Sequence, residues 1–322
     1  MGVTVVNILG RLSVPELRVD ERRWQAELGD NLLDSLLGAS VNVPNSCRAG
    51  SCQACMVRCC GAVENLQPQA LSPTLRDDGW VLSCQCRVAG DAQIELFDPA
   101  RQGIKAQVVG LDWLSAKVLR VRLSPLQRLR YRPGQHVLVW LDGIARPYSL
   151  ASVPTDPWLE LHIDCAHHGA FVDRLRQVQI SDWLLLGQVS GGALHYDQLW
   201  QSQPLRLLAA GTGLAPLAAV LREALAQDHQ GPIELWHLAS EDTEHYWRSE
   251  LDELQQQYAQ LRVQYLITAQ LPAALAQLRL VSRQSAALIC GSPKTVETFA
   301  KALYLAGLPR KNVFTDVFLT RL

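Results

Sequence analysis

The sequence predicts a multidomain protein of mixed α+β and α/β class, because its residue pattern changes twice along 322 positions. The first part contains a cysteine-rich loop among short strand and helix signals. The middle part has closely spaced strands with Pro and Gly turns, which favours an antiparallel β-barrel. The last part alternates strands with helices, which predicts a doubly wound parallel sheet. We place the three domains at residues 1–98, 99–200 and 201–322.

Four cysteines of the first part have the spacing of a metal-binding loop. Cys47, Cys52 and Cys55 form a C-x4-C-x2-C pattern, and Cys84 follows with 28 residues between it and Cys55. Small residues between the cysteines let the backbone wrap closely around an inorganic core and direct N–H groups at its sulfides. This spacing is typical of a plant-type [2Fe–2S] cluster.

Other uses of these cysteines fit the sequence less well. No N-terminal stretch resembles a secretory signal, and no apolar run reaches the roughly 18 to 20 residues that span a bilayer. We therefore expect a cytoplasmic protein without a membrane partner, in which disulfides are rare. A structural zinc site more often shows two C-x2-C pairs. A net charge of −1 gives no general argument for nucleic acid as a partner.

The first part also shows the local signals of a small mixed domain. Residues 1–13 contain an alternating apolar stretch, which is either an added edge strand or an extended start. Residues 16–20 and 24–27 are expected to form a hairpin, and Asp30 is expected to cap a short helix that Gly38 ends. The inward-facing residues of this helix are Leu32, Leu33, Leu36 and Leu37. Further strands are predicted at residues 57–60 and 81–82.

The middle and last parts follow a turn-rich linker at residues 97–103. Barrel strands are predicted at residues 105–109, 117–123, 136–141 and 158–163. Strands of the parallel sheet are predicted at residues 205–210, 233–238, 263–267, 287–290 and 313–318. Helices are predicted at residues 216–226, 244–258 and 293–306.

The cysteine loop resembles a known family. Residues 44–55 read PNSCRAGSCQAC and residues 79–85 read GWVLSCQ, which is similar to the N-terminal ferredoxin module of bacterial oxygenase reductases and of CDP-6-deoxy-glucoseen reductase. This resemblance implies a β-grasp fold. It also implies that Cys84 rather than Cys86 is the fourth ligand, because the family's ligand directly precedes the glutamine. The remaining cysteines of this part are then expected to be buried, inert thiols: Cys59, Cys60 and Cys86.

The tetrapeptide Arg146, Pro147, Tyr148 and Ser149 follows a strand that starts at PGQH, residues 133–136. Alone, such a tetrapeptide usually consists of surface residues without a binding role. Inside a barrel that precedes a strand–helix domain, it resembles the flavin motif of the ferredoxin-NADP reductase superfamily. The resemblance implies that Arg146 pairs with a flavin phosphate, that Tyr148 lies against the isoalloxazine ring and that Ser149 bonds near N5. It favours FAD over FMN.

A second flavin motif of that superfamily is a G-x-x-S run at a helix start, where backbone N–H groups meet the diphosphate. The matching residues here are Gly169, Ala170, Phe171 and Val172. Valine stands in the place of serine, so one hydrogen bond is lost and we expect looser flavin binding. The preceding pair of histidines, residues 167–168, fits a loop better than a metal site, because no further ligand lies at suitable spacing.

A glycine pair marks the first strand–helix junction of the last part. Gly211, Thr212, Gly213 and Pro216 lie in the run GTGLAP, where a helix N-terminus offers donors to a pyrophosphate. In this context the run resembles the nicotinamide-dinucleotide loop of the same superfamily.

A second segment completes the resemblance to the nicotinamide domain. Cys290 and Gly291 resemble the family's C-G-x-P segment, whose cysteine lies beside the nicotinamide carbon that gives up hydride. The alternative for Cys290 is a buried thiol at a strand end. We expect Cys290, Ser149 and Tyr148 to be the catalytic residues.

Two further features bear on the nucleotide. Glu241 and Asp242 follow the second strand of the parallel sheet, where a carboxylate can bind a ribose diol and a 2′-phosphate would require Arg or Lys. They favour NADH weakly, and solvated charges at a helix start explain them as well. Phe318 matches the family's closing strand, where an aromatic lies near the flavin, although packing alone explains it equally.

Together these features predict an NAD(P)H-dependent flavin iron–sulfur reductase. Electrons would pass from NAD(P)H through FAD and a [2Fe–2S] cluster to a separate acceptor protein, such as a terminal oxygenase. The chain is expected to be a monomer. The alternatives are a CDP-6-deoxy-glucoseen-type reductase for deoxysugar synthesis and a redox-sensing protein without rapid turnover.

Overall fold

The computed structural model describes residues 14–280 and 282–319. The stretch at residues 1–13, expected to be a strand or an extended start, lies outside these residues. The chain divides into two compact units, Met1–Phe97 and Asp98–Leu322. Within the described ranges, no helix combines the length and the apolar character that a membrane span requires.

The first unit is a five-stranded sheet with a helix packed into its core, which confirms the β-grasp prediction. The strands lie in the order β2-β1-β5-β3-β4, and β1 runs parallel to β5 while the other pairs are antiparallel. The strands are β1 Glu16–Val19, β2 Arg22–Gln25, β3 Met56–Asn65, β4 Trp80–Leu82 and β5 Cys86–Leu96, and the helices are α1 Leu32–Gly38 and α2 Pro73–Asp77. The long strand β5 was not predicted.

The cap of helix α1 lies one residue later than predicted. Asn31, not Asp30, is the N-cap, and its side chain accepts a hydrogen bond from the Asp34 N–H. The Asn31 amide also donates to the Cys84 carbonyl at 3.0 Å, which a carboxylate could not do. Asp30 instead accepts a bond from the Glu27 N–H. Leu32, Leu33 and Leu36 are fully buried as expected, and Leu37 is partly buried.

The second unit begins with a six-stranded antiparallel sheet in the order β10-β7-β6-β11-β8-β9. A bridge between Leu150 and Leu161 joins its two ends and closes the predicted barrel. The strands are β6 Ile104–Trp113, β7 Val118–Pro125, β8 His136–Leu141, β9 Ile144–Ser149, β10 Leu159–Asp164 and β11 Trp183–Ser190, with helices α3 Pro99–Gln102 and α4 Ala170–Leu175. Strands β9 and β11 were not predicted; β9 contains Pro147, which a strand tolerates at a sheet edge.

The second unit ends with a five-stranded parallel sheet in the order β14-β13-β12-β15-β16, with helices against both faces, as predicted for a doubly wound fold. The strands are β12 Leu205–Ala210, β13 Ile233–Ala239, β14 Leu261–Ile267, β15 Ala286–Gly291 and β16 Val313–Val317. The helices are α5 Leu214–Ala226, α6 Arg248–Gln257, α7 Leu271–Gln277 and α8 Pro293–Leu305. The strand order reverses between β12 and β15, so the loops that follow these strands are neighbours.

Two helices of this sheet differ from the prediction. Helix α6 begins at Arg248 rather than at residue 244, because Trp247 adopts a left-handed backbone (φ 60°) directly before it. The preceding residues form a 3-10 turn and then bury Tyr246. Helix α7 was not predicted.

Candidate functional site

The four predicted metal ligands lie in and beside the loop between α1 and β3. Cys52, Cys55 and Cys84 are buried and Cys47 is half-buried. The loop turns tightly through left-handed backbone at Arg48, Gly50 and Gln53. These turns point N–H groups inward: Ala49 and Cys52 donate to Cys47 Sγ, each at 3.3 Å, and Cys47 donates to Cys52 Sγ at 3.4 Å. Such donors stabilise sulfur in its anionic form.

Polar contacts fix the distant cysteine to this loop. The Ser83 hydroxyl donates to the Cys55 carbonyl at 2.8 Å, and the Asn31 amide donates to the carbonyl of Cys84 itself. Gln85 Nε2 lies 3.4 Å from Cys84 Sγ and donates to the Arg48 carbonyl at 2.9 Å. Sequence reasoning did not assign a role to Asn31 or Gln85. The sequence could have indicated a role for Gln85, because a glutamine directly follows the proposed ligand in the motif GWVLSCQ.

The four sulfurs form two hydrogen-bonded pairs. The side chain of Cys52 donates to Cys47, which lowers the pKa of Cys47 to about 4 and raises that of Cys52. In the same way Cys55 lowers the pKa of Cys84 to about 7, while its own pKa is raised. Each pair thus holds one thiolate readily.

This pairing fits a two-iron centre. A [2Fe–2S] cluster takes four thiolates on two irons, and Cys47, Cys52, Cys55 and Cys84 would hold it. In the part of the chain that the structure describes, no three metal-ligating side chains surround a single ion position. The assignment to a two-iron centre depends on the cysteine spacing and on the N–H donors to sulfur.

The other cysteines of this unit differ from one another. Cys86 is fully buried and its pKa is raised to about 12 by burial. Cys59 is partly buried, and burial raises its pKa to about 11. Cys60 is exposed, so the expectation that it is buried was wrong. Adjacent residues of a strand point to opposite faces, and Cys60 is on the solvent side of β3.

Strand β9 presents the predicted flavin tetrapeptide at the edge of the barrel sheet. The ring centroids of Tyr148 and Phe171 lie 5.3 Å apart, and Phe171 belongs to the second predicted flavin segment. The structure therefore brings the two segments together. Ser149 is buried, and burial raises the pKa of Tyr148. The Arg146 guanidinium donates to the carbonyl of Ala145, an uncharged acceptor, which leaves its positive charge for a phosphate.

Helix α4 starts at the second flavin segment without a side-chain cap. Gly169 is its N-cap, and the space where a Cβ would lie is open. Ala170 is exposed beside it, so the first N–H groups of the helix can reach a phosphate oxygen. The side chain of Val172 packs partly against the barrel core and offers no hydroxyl. His168 bonds Asp173 at 2.8 Å. Arg146, Tyr148 and these N–H groups thus fit FAD.

The dinucleotide loop, residues 211–216, connects β12 to α5 through a 3-10 turn at Gly211–Gly213. A Cβ on Gly213 would lie 2.3 Å from the Cys290 carbonyl oxygen, so only glycine allows the two segments to approach this closely. Pro216 is buried in the first turn of α5, and Thr212 is half-buried. The N-terminus of α5 also lacks a side-chain cap, which leaves its N–H groups for a pyrophosphate.

The second nucleotide segment lies directly beside this loop. Cys290 pairs in register with Ala209 of β12 and is fully buried, which raises the pKa of its thiol well above the ordinary value. Gly291 follows it, and the Gly291 carbonyl accepts a hydrogen bond from the Phe318 N–H at 2.8 Å. The structure therefore gathers Gly213, Cys290, Gly291 and Phe318 in one place.

The two carboxylates after β13 have different surroundings. Asp242 forms an ion pair with Arg248 at 2.9 Å, which lowers the pKa of Asp242. Glu241 is exposed at the start of the turn. Of the two, Glu241 is therefore the carboxylate available to a ribose diol.

Two parts of the chain match known domain families. Residues 17–89 match a model described as the 2Fe-2S iron-sulfur cluster binding domain, and residues 207–301 match the oxidoreductase NAD-binding domain. Reductase component 1 of terephthalate 1,2-dioxygenase from Comamonas sp is 30% identical over 315 residues, covering 91% of this chain and 93% of its own. The chain belongs to the family of iron–sulfur reductase components of oxygenase systems.

Further comparisons support the assignment of this reductase. The reductase component of the naphthalene 1,2-dioxygenase/salicylate 5-hydroxylase systems of Ralstonia sp is 26% identical, covering 91% of this chain and 94% of its own. A crystal structure of an Amycolatopsis cytochrome P450 reductase shares the fold, with a TM-score of 0.63, 24% identity and coverage of 94% of this chain and 98% of that chain. The protein is an NAD(P)H-dependent oxidoreductase that uses FAD and a [2Fe–2S] cluster.

Proposed function

We propose that this reductase takes electrons from NADH and passes them, through FAD and then the [2Fe–2S] cluster, to a separate terminal oxygenase. The observation that carries the proposal is the loop that directs backbone N–H groups at the sulfurs of Cys47 and Cys52, in a chain that also has flavin and dinucleotide segments. The similarity to reductase components of terephthalate and naphthalene dioxygenases supports an oxygenase as acceptor.

The bound groups supply the electron chemistry: a nicotinamide delivers hydride, FAD divides the two electrons, and a [2Fe–2S] cluster passes them on singly. The residues of the chain bind and orient these groups. The flavin phosphates would be held by Arg146 and by the N–H groups at Gly169–Val172. Pro147 would fix the edge strand beside Arg146. Tyr148 would cover the flavin ring and Ser149 would bond near N5.

The nucleotide segments have separate proposed tasks. The turn Gly211–Gly213 and the N-terminus of α5 would hold the pyrophosphate, because their N–H groups lack side-chain caps. Cys290 and Gly291 would lie beside the nicotinamide, and Phe318 beside the flavin. The buried, protonated thiol of Cys290 acts by shape and exclusion of water, since burial keeps its pKa high.

A preference for NADH follows from the carboxylates after β13. Glu241 is free to bind the ribose diol, and Arg248, the nearest basic residue in sequence, is engaged by Asp242. A 2′-phosphate would therefore meet the Glu241 carboxylate, beside two cations, Lys117 and Arg248, that Glu244 and Asp242 already pair. Initial rates with the two nucleotides test this, and equal kcat/KM for NADH and NADPH would contradict it.

The organisation of the chain is part of the proposal. We propose domains at residues 1–98, 99–200 and 201–322, supported by three separate sheets within the described residues. We also propose a monomer that works in the cytoplasm, where four reduced thiols can hold iron.

An anaerobic assay tests the electron route. Purified protein is mixed with NADH and cytochrome c, and absorbance of the flavin, the cluster and cytochrome c is followed. The proposal expects bleaching of the protein's visible absorbance and reduction of cytochrome c. No absorbance change with either nicotinamide nucleotide would overturn it.

A further inference from the structure

Three buried side chains of the second unit carry polar atoms without hydrogen-bond partners and lie against one another. The atoms are His162 Nδ1, the Tyr246 hydroxyl and both ring nitrogens of His237, among the described residues. Tyr246 meets the ring of His162 at 5.3 Å and that of His237 at 5.4 Å, edge to face in both cases. Each unsatisfied buried polar atom costs about 1–3 kcal/mol, so four together require a reason.

These three residues come from both halves of the second unit. His162 belongs to barrel strand β10, and its Nε2 bonds Glu160, which in turn accepts a bond from Arg122 at 2.9 Å. His237 lies near the end of β13. Tyr246 lies in the segment that precedes α6. The group therefore connects the barrel to the parallel sheet.

The same group lies under the dinucleotide loop. The backbone of Gly211 is the polar neighbour of His237. The Tyr246 hydroxyl has the Ala215 backbone, in the first turn of α5, and the Cys290 thiol as neighbours. Tyr246 shares one apolar core with Leu214, the first residue of α5, and with Cys290. Any movement of Tyr246 is thus transmitted to both segments that would hold the nicotinamide nucleotide.

The His237 imidazole and the Tyr246 phenol are neutral. Burial lowers the pKa of His237 to about 3, with the neighbouring His245 adding to the effect, and burial raises the pKa of Tyr246. A neutral imidazole offers one donor and one acceptor, and a phenol offers both.

We propose that Tyr246 is a positioning residue for hydride transfer, which holds the turn Gly211–Gly213 and Cys290 against the barrel through its ring contacts with His162 and His237 and through its hydroxyl at the start of α5. This inference rests on the proposed function, because it concerns the approach of NADH to FAD. Reacting atoms misplaced by about 1 Å can lose on the order of 100-fold in rate, so a small shift of this turn matters.

Tyr246→Phe tests the proposal, because it removes the hydroxyl and keeps the ring. The limiting rate of flavin reduction by NADH in stopped flow should fall by about tenfold. The NADH dissociation constant should stay within about twofold, because the phenol touches the loop and not the nucleotide. Backbone amides at residues 211–214 should exchange hydrogen for deuterium faster than in the unaltered protein, a readout that does not depend on turnover.

The chain offers a matched control at a distance from this group. Tyr196 bonds His229 Nδ1 at 2.9 Å with the rings edge to face at 5.6 Å, and His229 Nε2 also lacks a partner among the described residues. Tyr196→Phe likewise removes a tyrosine hydroxyl beside a histidine and keeps the ring. It should leave the rate of flavin reduction and the exchange at residues 211–214 unchanged.

A second variant tests the proposal independently if Tyr246→Phe does not fold. His237→Phe keeps the edge contact with Tyr246 and removes two polar atoms, and it should show the same slower reduction and faster exchange. Unaltered rates and unaltered exchange in both variants would overturn the positioning role. If the unaltered protein is not reduced by NADH at all, the proposed function fails, and the exchange comparison still decides whether Tyr246 holds the turn.

Discussion

The cluster loop, residues 46–55, and the dinucleotide loop, residues 211–216, build their sites in opposite ways. The cluster loop places three of four ligands within one segment by left-handed turns at Arg48, Gly50 and Gln53. The dinucleotide loop is a regular strand–turn–helix, and its close neighbour Cys290 comes from a strand far along the chain. One site depends on local backbone conformation and the other on strand order.

The largest expected effect concerns the cluster loop. Cys52→Ser should bring reduction of cytochrome c to background, because one sulfur pair loses a ligand. Direct reduction of a dye by the flavin should be retained, since that reaction needs only the second unit. The comparison of the two loops breaks down if both activities fall equally. Cys60→Ser, at an exposed cysteine of β3, serves as the control and should change neither activity.

The next effect concerns the close approach at the dinucleotide loop. Gly213→Ala places a Cβ 2.3 Å from the Cys290 carbonyl oxygen, so the two segments must separate. Overpacking of this kind costs about 1–3 kcal/mol, and kcat/KM for NADH should fall by roughly 10- to 100-fold. Gly211→Ala meets no neighbouring atom, so its effect should come only from the left-handed backbone at this position (φ 53°). Iron content should stay unchanged in both variants, and a loss of iron would contradict the separation of the two sites.

This difference explains why the sequence predicted the cluster loop better than the contacts of the dinucleotide loop. The spacing of Cys47, Cys52 and Cys55 was sufficient to predict an iron–sulfur domain, because these three cysteines are neighbours in sequence. The cap of α1 was misplaced by one residue, since the choice of Asn31 depends on the Cys84 carbonyl across the unit. Strand β9 was not predicted because Pro147 argues against a strand unless the edge position is known.

The contacts of the dinucleotide loop were harder to predict. The motif indicated the turn and the helix that follows it, and the resemblance indicated Cys290. Nothing in the local pattern brought His162 of the barrel, His237 and Tyr246 together, because their contact requires the strand order of two sheets. The start of α6 was placed too early for a related reason: the segment before it turns back to bury Tyr246.

Acid should destabilise the second unit through protonation of Glu160. Burial alone would raise the pKa of Glu160, but the His162 imidazole and the Arg122 and Arg120 guanidiniums lower it to about 2 from the ordinary 4.5. The ionised carboxylate therefore stabilises the second unit above about pH 4.5, and this contribution, roughly 3 kcal/mol, is lost as the pH falls toward 2.

Urea unfolding followed by flavin fluorescence measures this response. Between pH 7 and pH 3.5 the midpoint should fall more for the unaltered protein than for Glu160→Gln, which has no charge to lose. Identical pH profiles for the two proteins would contradict the pairing of Glu160 with His162 and Arg122.

The smallest expected effect concerns the flavin segment. Val172→Ser returns a hydroxyl to the third residue of α4, where the family pattern has serine. One added hydrogen bond is worth about 0.5–1.5 kcal/mol, and removal of the valine methyl groups from the barrel core offsets part of this gain. FAD binding, measured by titration of the flavin-free protein, should tighten by about threefold. Weaker binding would show that packing of Val172 outweighs the missing hydroxyl.

The central claim is that four thiols hold a two-iron cluster that receives electrons from the nicotinamide end of the chain. The most direct test is a count of iron, acid-labile sulfide and zinc per chain in protein purified without air. The account predicts equal amounts of iron and sulfide, about two of each per chain, and no zinc. Zinc in place of iron, or iron without sulfide, would contradict it.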